Sequence, residues 1–426
     1  MKSRRAIAIR LLRRAAPAAA GVLLLGGCAT APLESARIDF FAGRLERADA
    51  ALSKEEADSG KDRVLVLMER GTIRQARGDY GKSAADFIAA SDRIHELETY
   101  SVSKGASSMV VNDTVENYRG APYERTLLHV FAALDQLALA NWDNGAVEAR
   151  RMLDTLTAAK TDGYPEDAFS RYMAGFCLEM IDDDSNAAIQ YRLASELAAG
   201  VAVDEHGRLS ERAPPLPPPT DPDMTNAAPA AAVPPPKPES EVPRELRAKK
   251  WDHELVCFIL LGAGPDPYFS GGTAWYGGAP AYAELYSGNT RLGRSYTLAD
   301  ADELCRLTAE REAARKIAKT VTRVAVKEGI AVAVEKSTDN ELLGLLVRLV
   351  LIGMLEQPDV RRWETLPCRL QVARVPCPPD LKELKLVLQG GAGLTEIAVS
   401  QPITKRRRTY FCFYREMPAP WDRPEH

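Results

Sequence analysis

The stretch that decides the fold reads Leu67-Met-Glu-Arg-Gly71-Thr-Ile-Arg-Gln-Ala-Arg-Gly78-Asp-Tyr80-Gly-Lys-Ser-Ala84-Ala-Asp-Phe87-Ile-Ala-Ala90. Its apolar residues recur at three- and four-residue spacing, which is typical of helices that bury one face. Gly71 lets two helices approach each other closely, and the Gly78-Asp79 pair ends the first of them. We therefore predict a helical hairpin in which Phe87 and Ala90 pack against the hairpin that follows.

This hairpin resembles a tetratricopeptide repeat, a pair of helices that buries its apolar face on neighbouring pairs. A second copy places Gly175 and Tyr191 16 residues apart, which is the separation of Gly71 and Phe87, and a weaker copy spans residues 133–149. The copies begin 62 and 42 residues apart, whereas tandem arrays of this repeat have a regular period of about 34 residues. We therefore predict three tetratricopeptide-like hairpins in an irregular bundle that leaves a concave face for partners.

The first 27 residues are typical of a secretory signal, with a basic start, an apolar run and small residues before a break point. Their end, Leu25-Gly26-Gly27-Cys28, resembles the lipobox of bacterial lipoproteins, in which the cysteine is lipidated and becomes the first residue. This implies a signal peptide over 1–27 and a membrane anchor at Cys28. Because Ala29 replaces the aspartate of an inner-membrane retention signal, the periplasmic face of the outer membrane is favoured over the inner membrane.

The charge balance argues against nucleic acid as a partner. The signal carries six basic residues and no acidic one, so its removal takes the formal net charge from −4 to −10. Sequence-independent binding to nucleic acid needs lysines and arginines that neutralise phosphates.

The apolar run 342–355 has 14 residues and includes Arg348, which is shorter than the ~20 residues of a spanning helix. We predict a buried helix there and attachment to the membrane through lipid.

A polar segment, residues 100–125, separates the first two hairpins. It contains Ser-Val-Ser-Lys104, Val-Asn112-Asp113 and Tyr118-Arg119-Gly, and the helix after it ends in Val-Glu148-Ala-Arg-Arg. With a later stretch around Asp-Val-Arg-Arg-Trp-Glu-Thr-Leu-Pro, residues 359–367, it resembles a family of uncharacterised bacterial lipoproteins with tetratricopeptide-like repeats. The resemblance touches most of residues 36–200 and 250–415, and it implies architecture and location.

The rest of the chain predicts a linker and a second domain. Residues 210–249 are rich in proline and alanine, which favours a spacer between a helical domain over 28–209 and a domain over 250–420. In the second domain we predict strands near 255–261, 366–375, 381–389, 394–399 and 409–414 and a helix over 302–335. The predicted fold class is α+β, with a small antiparallel β-sheet or sandwich covered by helices.

The residues that favour a ligand site lie mainly in the polar segment. The candidate binding residues are Lys104, Asn112, Asp113, Tyr118, Arg119 and Glu148. A structural plug that joins two hairpins is the competing interpretation. The glycine- and aromatic-rich loop 262–278 is either a binding loop or an ordered cover of the sheet.

Two charged runs and the cysteines favour structural roles. Asp182-Asp-Asp184 falls where the repeat pattern places a turn, and Lys405-Arg-Arg-Arg408 precedes the last strand. We interpret both as solvated turns, with anionic headgroups or cell-wall polymers as an open alternative for the basic run. Six cysteines follow Cys28 without any Cys-x-x-Cys pair, which favours structural thiols over disulfides or a zinc site.

The motifs that the sequence lacks shape the expected function. It contains no Gly-x-Ser-x-Gly, His-Glu-x-x-His or phosphate-loop pattern. We therefore expect no enzymatic activity, no cofactor and no metal. The expected function is a protein-interaction scaffold in the bacterial cell envelope, assisting cell-wall or outer-membrane assembly. The alternative is an envelope enzyme or small-ligand receptor that uses the polar segment 100–125 and the aromatic loop.

Overall fold

The computed structural model describes residues 31–55, 60–104, 117–212, 251–265, 281–315, 361–390 and 395–416. Several predictions of the sequence fall outside these ranges. They are the signal peptide 1–27 with Cys28, nearly all of the linker, the apolar run 342–355 and most of the aromatic loop. The described part of the chain runs from a set of paired helices into β-sheets.

The paired helices fold because they bury apolar side chains against one another, and the central helices Pro122–Ala138 and Ala168–Met180 are buried on nearly every side. The described residues form four antiparallel hairpins, one more than the three predicted: α1 with α2, α3 with α4, α5 with α6 and α7 with α8. The additional hairpin, α1 with α2, precedes the first repeat. The bounds are α1 Ala31–Phe41, α2 Leu45–Glu55, α3 Arg63–Ala76, α4 Tyr80–Lys104, α5 Pro122–Ala138, α6 Trp142–Thr161, α7 Ala168–Met180 and α8 Asp184–Leu197. Among the described residues, the helices fall short of the length and apolar character needed to cross a membrane.

Small residues bring the helices of a hairpin together, as the sequence predicts. A Cβ atom on Gly71 would lie 2.7 Å from Cε1 of Phe87, and one on Gly175 would lie 2.9 Å from Cε1 of Tyr191. The turn between α3 and α4 contains Gly78 at φ 82°, a conformation that glycine adopts without strain. Phe87 then packs on the next hairpin, with its ring centroid 5.9 Å from that of Phe131.

The second half of the chain forms β-sheets, so the α+β class is confirmed. Among the described strands, one sheet has the order β10-β11-β3-β7-β6, another has the order β5-β4-β8-β9, and β1 pairs with β2. The strands are β1 Val201–Val203, β2 Leu209–Glu211, β3 Glu254–Leu261, β4 Tyr282–Ser287, β5 Thr290–Arg294, β6 Tyr296–Asp300, β7 Arg369–Pro376, β8 Lys385–Gln389, β9 Thr395–Ala398, β10 Thr404–Arg406 and β11 Thr409–Arg415. Because β11 runs parallel to β3, the first of these sheets is mixed rather than purely antiparallel.

Strand β3 explains how the layers stack, because it is buried on both faces. Side chains alternate between the faces of a strand, so Phe258 faces the helices and its ring centroid lies 5.6 Å from that of Phe169. Its neighbour Ile259 faces the other way and packs in a cluster with Leu285 and Leu386 of the second sheet. Helices, the mixed sheet and the second sheet thus form three layers, and one apolar core joins the helical half to the mixed sheet.

The remaining predictions for the second half are partly within the described residues. Residues 301–315 are helical, which covers the start of the helix predicted over 302–335. The described cysteines are unpaired thiols, and all but Cys377 are buried. Cys257 and Cys412 lie directly opposite each other on β3 and β11.

Candidate functional site

The predicted binding residues near the polar segment fall in different places. Lys104 ends α4, whereas Asn112 and Asp113 lie outside the described residues. Tyr118 is buried just before α5; its backbone N–H donates to the carbonyl of Lys61 over 2.8 Å. Its hydroxyl donates to the carboxylate of Glu124. Arg119 is half-buried beside it.

The Glu124 carboxylate ties this region to the second half of the chain. It is fully buried and accepts hydrogen bonds from the backbone N–H groups of Ala121 and Trp363 at 2.7 and 2.8 Å. Burial raises the pKa of Glu124, and these donors oppose that rise. Glu69 of α3 accepts in the same way from the N–H of Glu364 at 2.9 Å. Buried carboxylates of α3 and α5 thus hold residues 363–365 against the helices.

Glu148 belongs to another buried cluster. Its Oε2 lies 2.8 Å from Nδ1 of His129, and its Oε1 accepts from Nη1 of Arg151 over 2.9 Å. Tyr118 and Glu148 therefore lie in two buried polar networks rather than on the wall of one pocket.

An open space between the helical half and the mixed sheet is the better candidate site. This charged cleft has a volume of about 940 Å³ and is built from the α7–α8 turn, the β1–β2 turn, the start of β3, β7 and the β10–β11 turn. Its lining residues are Glu179, Met180, Asp182, Asp184, Asp204, Glu205, His206, Arg208, Trp251, Glu254, Arg374, Arg406, Arg407, Arg408 and Thr409.

The floor of the charged cleft is an ion triad in which Arg374 is buried and Glu179 and Glu254 are partly exposed. The alternation of β7 places Arg374 on the helix-facing side, together with Leu370 and Val372. There its Nη2 atom lies 2.6 Å from Oε1 of Glu179 and 2.6 Å from Oε1 of Glu254. Burial lowers the pKa of Arg374, but the two carboxylates outweigh burial and raise it. For Glu254 the signs are reversed. Burial raises its pKa, but the charge and hydrogen bonds of Arg374 outweigh burial and lower it.

One wall of the charged cleft is the β1–β2 turn, which is held by the side chain of Asp204 within the turn and by Tyr172 of α7. Oδ1 of Asp204 accepts from the N–H groups of His206 and Arg208 at 3.0 and 2.8 Å. The hydroxyl of Tyr172 donates to the carbonyl of Gly207 over 2.6 Å. Arg208 places its guanidinium carbon 4.4 Å from the ring centroid of Trp251, a distance that suits a cation–π contact.

Two charged turns meet at the mouth of the charged cleft, one acidic and one basic. The run from Asp182 to Asp184 forms the α7–α8 turn, as predicted, because α7 ends at Met180 and α8 begins at Asp184. The basic run forms the β10–β11 turn. Arg407 at its tip makes an ion pair with Asp182, with Nη2 2.6 Å from Oδ2.

No protein-family model matches this chain, and no curated protein is detectably similar to it.

The charged cleft therefore has to be interpreted from its own chemistry. The described residues contain no group of three or more His, Cys, Asp or Glu side chains placed to hold a metal ion. The cleft offers guanidinium donors, carboxylate acceptors and the half-buried Trp251 side by side. Such a surface can bind a polar partner through charge-assisted hydrogen bonds.

Proposed function

We propose that this chain is a lipid-anchored protein of the bacterial cell envelope that faces the periplasm and acts as a protein-interaction scaffold. In this proposal a lipid on Cys28 holds the chain to the outer membrane, and an envelope protein occupies the charged cleft. Support for the location comes from the lipobox-like stretch and from the resemblance to bacterial lipoproteins. The proposed role is binding without catalysis, and it extends to assistance in cell-wall or outer-membrane assembly.

The charged cleft is the observation that carries the binding role. It lies where the last helical hairpin meets the mixed sheet, and it is open to solvent with a volume of about 940 Å³. Protein–protein interfaces combine polar groups at a solvent-accessible rim with buried aromatic and arginine anchors. Trp251 and the arginines of the β10–β11 turn provide those residue types.

Site-specific photocrosslinking in whole cells tests the proposal. A photoreactive amino acid replaces Glu205, which is exposed and lines the charged cleft. The matched control carries the same amino acid at Arg150, which is exposed on α6 and is not a cleft residue. We expect a discrete adduct with an envelope protein from position 205 that position 150 does not give. No adduct, or the same adducts from both positions, would contradict the scaffold and favour the small-ligand receptor.

The lipid anchor gives a separate prediction. Replacing Cys28 by serine removes the thiol that would carry the lipid, so the protein is expected to stay unprocessed or to become soluble. Membrane fractionation with mass spectrometry of the N-terminus measures this. The wild-type chain should appear in the outer-membrane fraction with a diacylated or triacylated first residue. Normal processing and unchanged fractionation of Cys28→Ser would rule out the anchor.

A further inference from the structure

The β10–β11 turn breaks a local rule of backbone conformation. Arg406 and Thr409 are paired across the hairpin, so Arg407 and Arg408 form its two-residue loop. Arg407 has a φ of 56°, in the left-handed region. Glycine or asparagine usually occupies such positions in hairpin loops, because the Cβ atom of most other residues lies too close to the following carbonyl oxygen there. A residue held against its local preference often marks a functional site.

Several charges at the mouth of the charged cleft lack a partner of opposite sign among the residues that the structure describes. Arg407 pairs with Asp182, but within the described part of the chain Arg406 and Arg408 have no acidic partner. Asp184, which also lines the cleft, has no basic partner among the described residues. Charges of both signs that the described residues leave unpaired thus face one open space, where a ligand can pair with them.

We propose that the charged cleft recognises a polypeptide segment that carries both carboxylate and ammonium groups. This inference rests on the proposed scaffold function and specifies the chemistry of its partner. A carboxylate of the segment pairs with Arg406 and Arg408, since guanidinium groups match carboxylates in geometry and charge. An ammonium group pairs with Asp184, and the ring of Trp251 packs against the chain between them.

The balance of charge argues against a membrane surface or nucleic acid as the occupant. Those partners present dense phosphate charge and select a uniformly basic surface. The charged cleft instead exposes acidic residues beside its arginines, including Asp184, Asp204 and Glu205. These carboxylates would repel phosphates, whereas a segment of mixed charge has groups complementary to both signs.

A peptide panel tests this inference on the full chain purified in detergent micelles. Three fluorescent peptides of equal length carry alternating glutamate and lysine, glutamate with serine, or lysine with serine. Fluorescence anisotropy at low salt measures their affinities. We expect the mixed peptide to bind about tenfold more tightly than either single-sign peptide. Equal or tighter binding of the glutamate peptide would overturn the inference, as would no binding of the mixed peptide.

Paired variants locate the binding. Arg406→Ala with Arg408→Ala should weaken the mixed peptide about tenfold, whereas the control Arg150→Ala with Lys382→Ala removes two exposed cations elsewhere and should leave it unchanged. Asp184→Lys should reverse the preference toward the glutamate peptide, which an unfolded variant could not do. Equal losses in the double variant and the control would also overturn the inference. Crosslinking at position 205 reports whether an envelope protein occupies the cleft, so each proposal can fail without the other.

Discussion

Replacing Trp363 by alanine is expected to lower the free energy of unfolding by about 4 kcal/mol, the usual range for a large buried aromatic side chain. Trp363 is fully buried, and its ring centroid lies 5.6 Å from that of Phe87 and 5.3 Å from that of Phe131. Its indole N–H also donates to Oγ1 of Thr72 over 3.0 Å. The substitution leaves a cavity between α3, α4 and α5 and removes the donor to that buried hydroxyl.

Urea denaturation followed by circular dichroism measures this loss, and a second tryptophan provides the matched control. Trp251 is half-buried in the charged cleft, so Trp251→Ala should cost less than about 1 kcal/mol. A loss below that value for Trp363→Ala would show that this side chain does not join the two halves. An equal loss for Trp251→Ala would show that the effect is not specific to the buried position of Trp363.

The paired helices could be predicted because the information that fixes them is local. Gly71 and Phe87 lie 16 residues apart, which is a single hairpin, and their contact depends on two residue types. The same reasoning found the buried strand β3 from its apolar run. The predicted helical domain over 28–209 nevertheless contains no strand, whereas in the structure a β-hairpin, β1 and β2, follows α8. The three- and four-residue spacing of apolar residues does not continue into this β-hairpin.

Strand pairing was harder to predict because partners lie far apart in the sequence. β3 and β11 are separated by about 150 residues, and nothing local indicates that they run parallel. Strands β4 and β5 were missed although Ser287-Gly288-Asn-Thr290 is a hairpin-turn signal. The helices that cover the mixed sheet are the N-terminal hairpins, and one apolar core contains residues of both.

The candidate site shows the same limit. The polar residues Tyr118 and Glu148 suggested a ligand site, yet each is buried and bonded inside the protein. A buried partner such as Glu124 or His129 cannot be recognised from sequence spacing. The charged cleft was missed because its walls come from widely separated segments. Its two charged turns were each noticed and interpreted as solvated, since their ion pair spans 225 residues.

Arg374→Ala is expected to lower the free energy of unfolding at about pH 7 by about 3 kcal/mol, the lower end of the range for breaking a buried ion pair, because it removes the buried cation from two partly exposed carboxylates. Arg374 is 6% exposed, and it joins Glu179 of α7 to Glu254 of β3. Arg374→Lys is the graded control. A lysine keeps the charge but lacks the planar fork that reaches both carboxylates, so it should recover part of the loss.

The same variant should change how stability depends on pH. In the wild type, the pKa of Glu254 lies below its ordinary value of 4.5. This carboxylate therefore contributes stability above pH 4.5 that is lost as the pH falls through the lowered pKa. Without Arg374, burial is the largest remaining influence and raises the pKa of Glu254, while Thr409 and Arg208 oppose part of that rise. Protonation of Glu254 should therefore relieve the destabilisation in the variant.

The difference in unfolding free energy between wild type and Arg374→Ala should consequently be largest near neutral pH and should shrink by at least about 1 kcal/mol at about pH 4. Urea denaturation at both pH values measures it, with Arg150→Ala as an exposed arginine that should show no such change. A deficit that stays constant with pH would mean that lost packing, rather than the unpaired carboxylates, destabilises the variant. The ion triad would then stabilise the protein through packing, and the electrostatic explanation would be wrong.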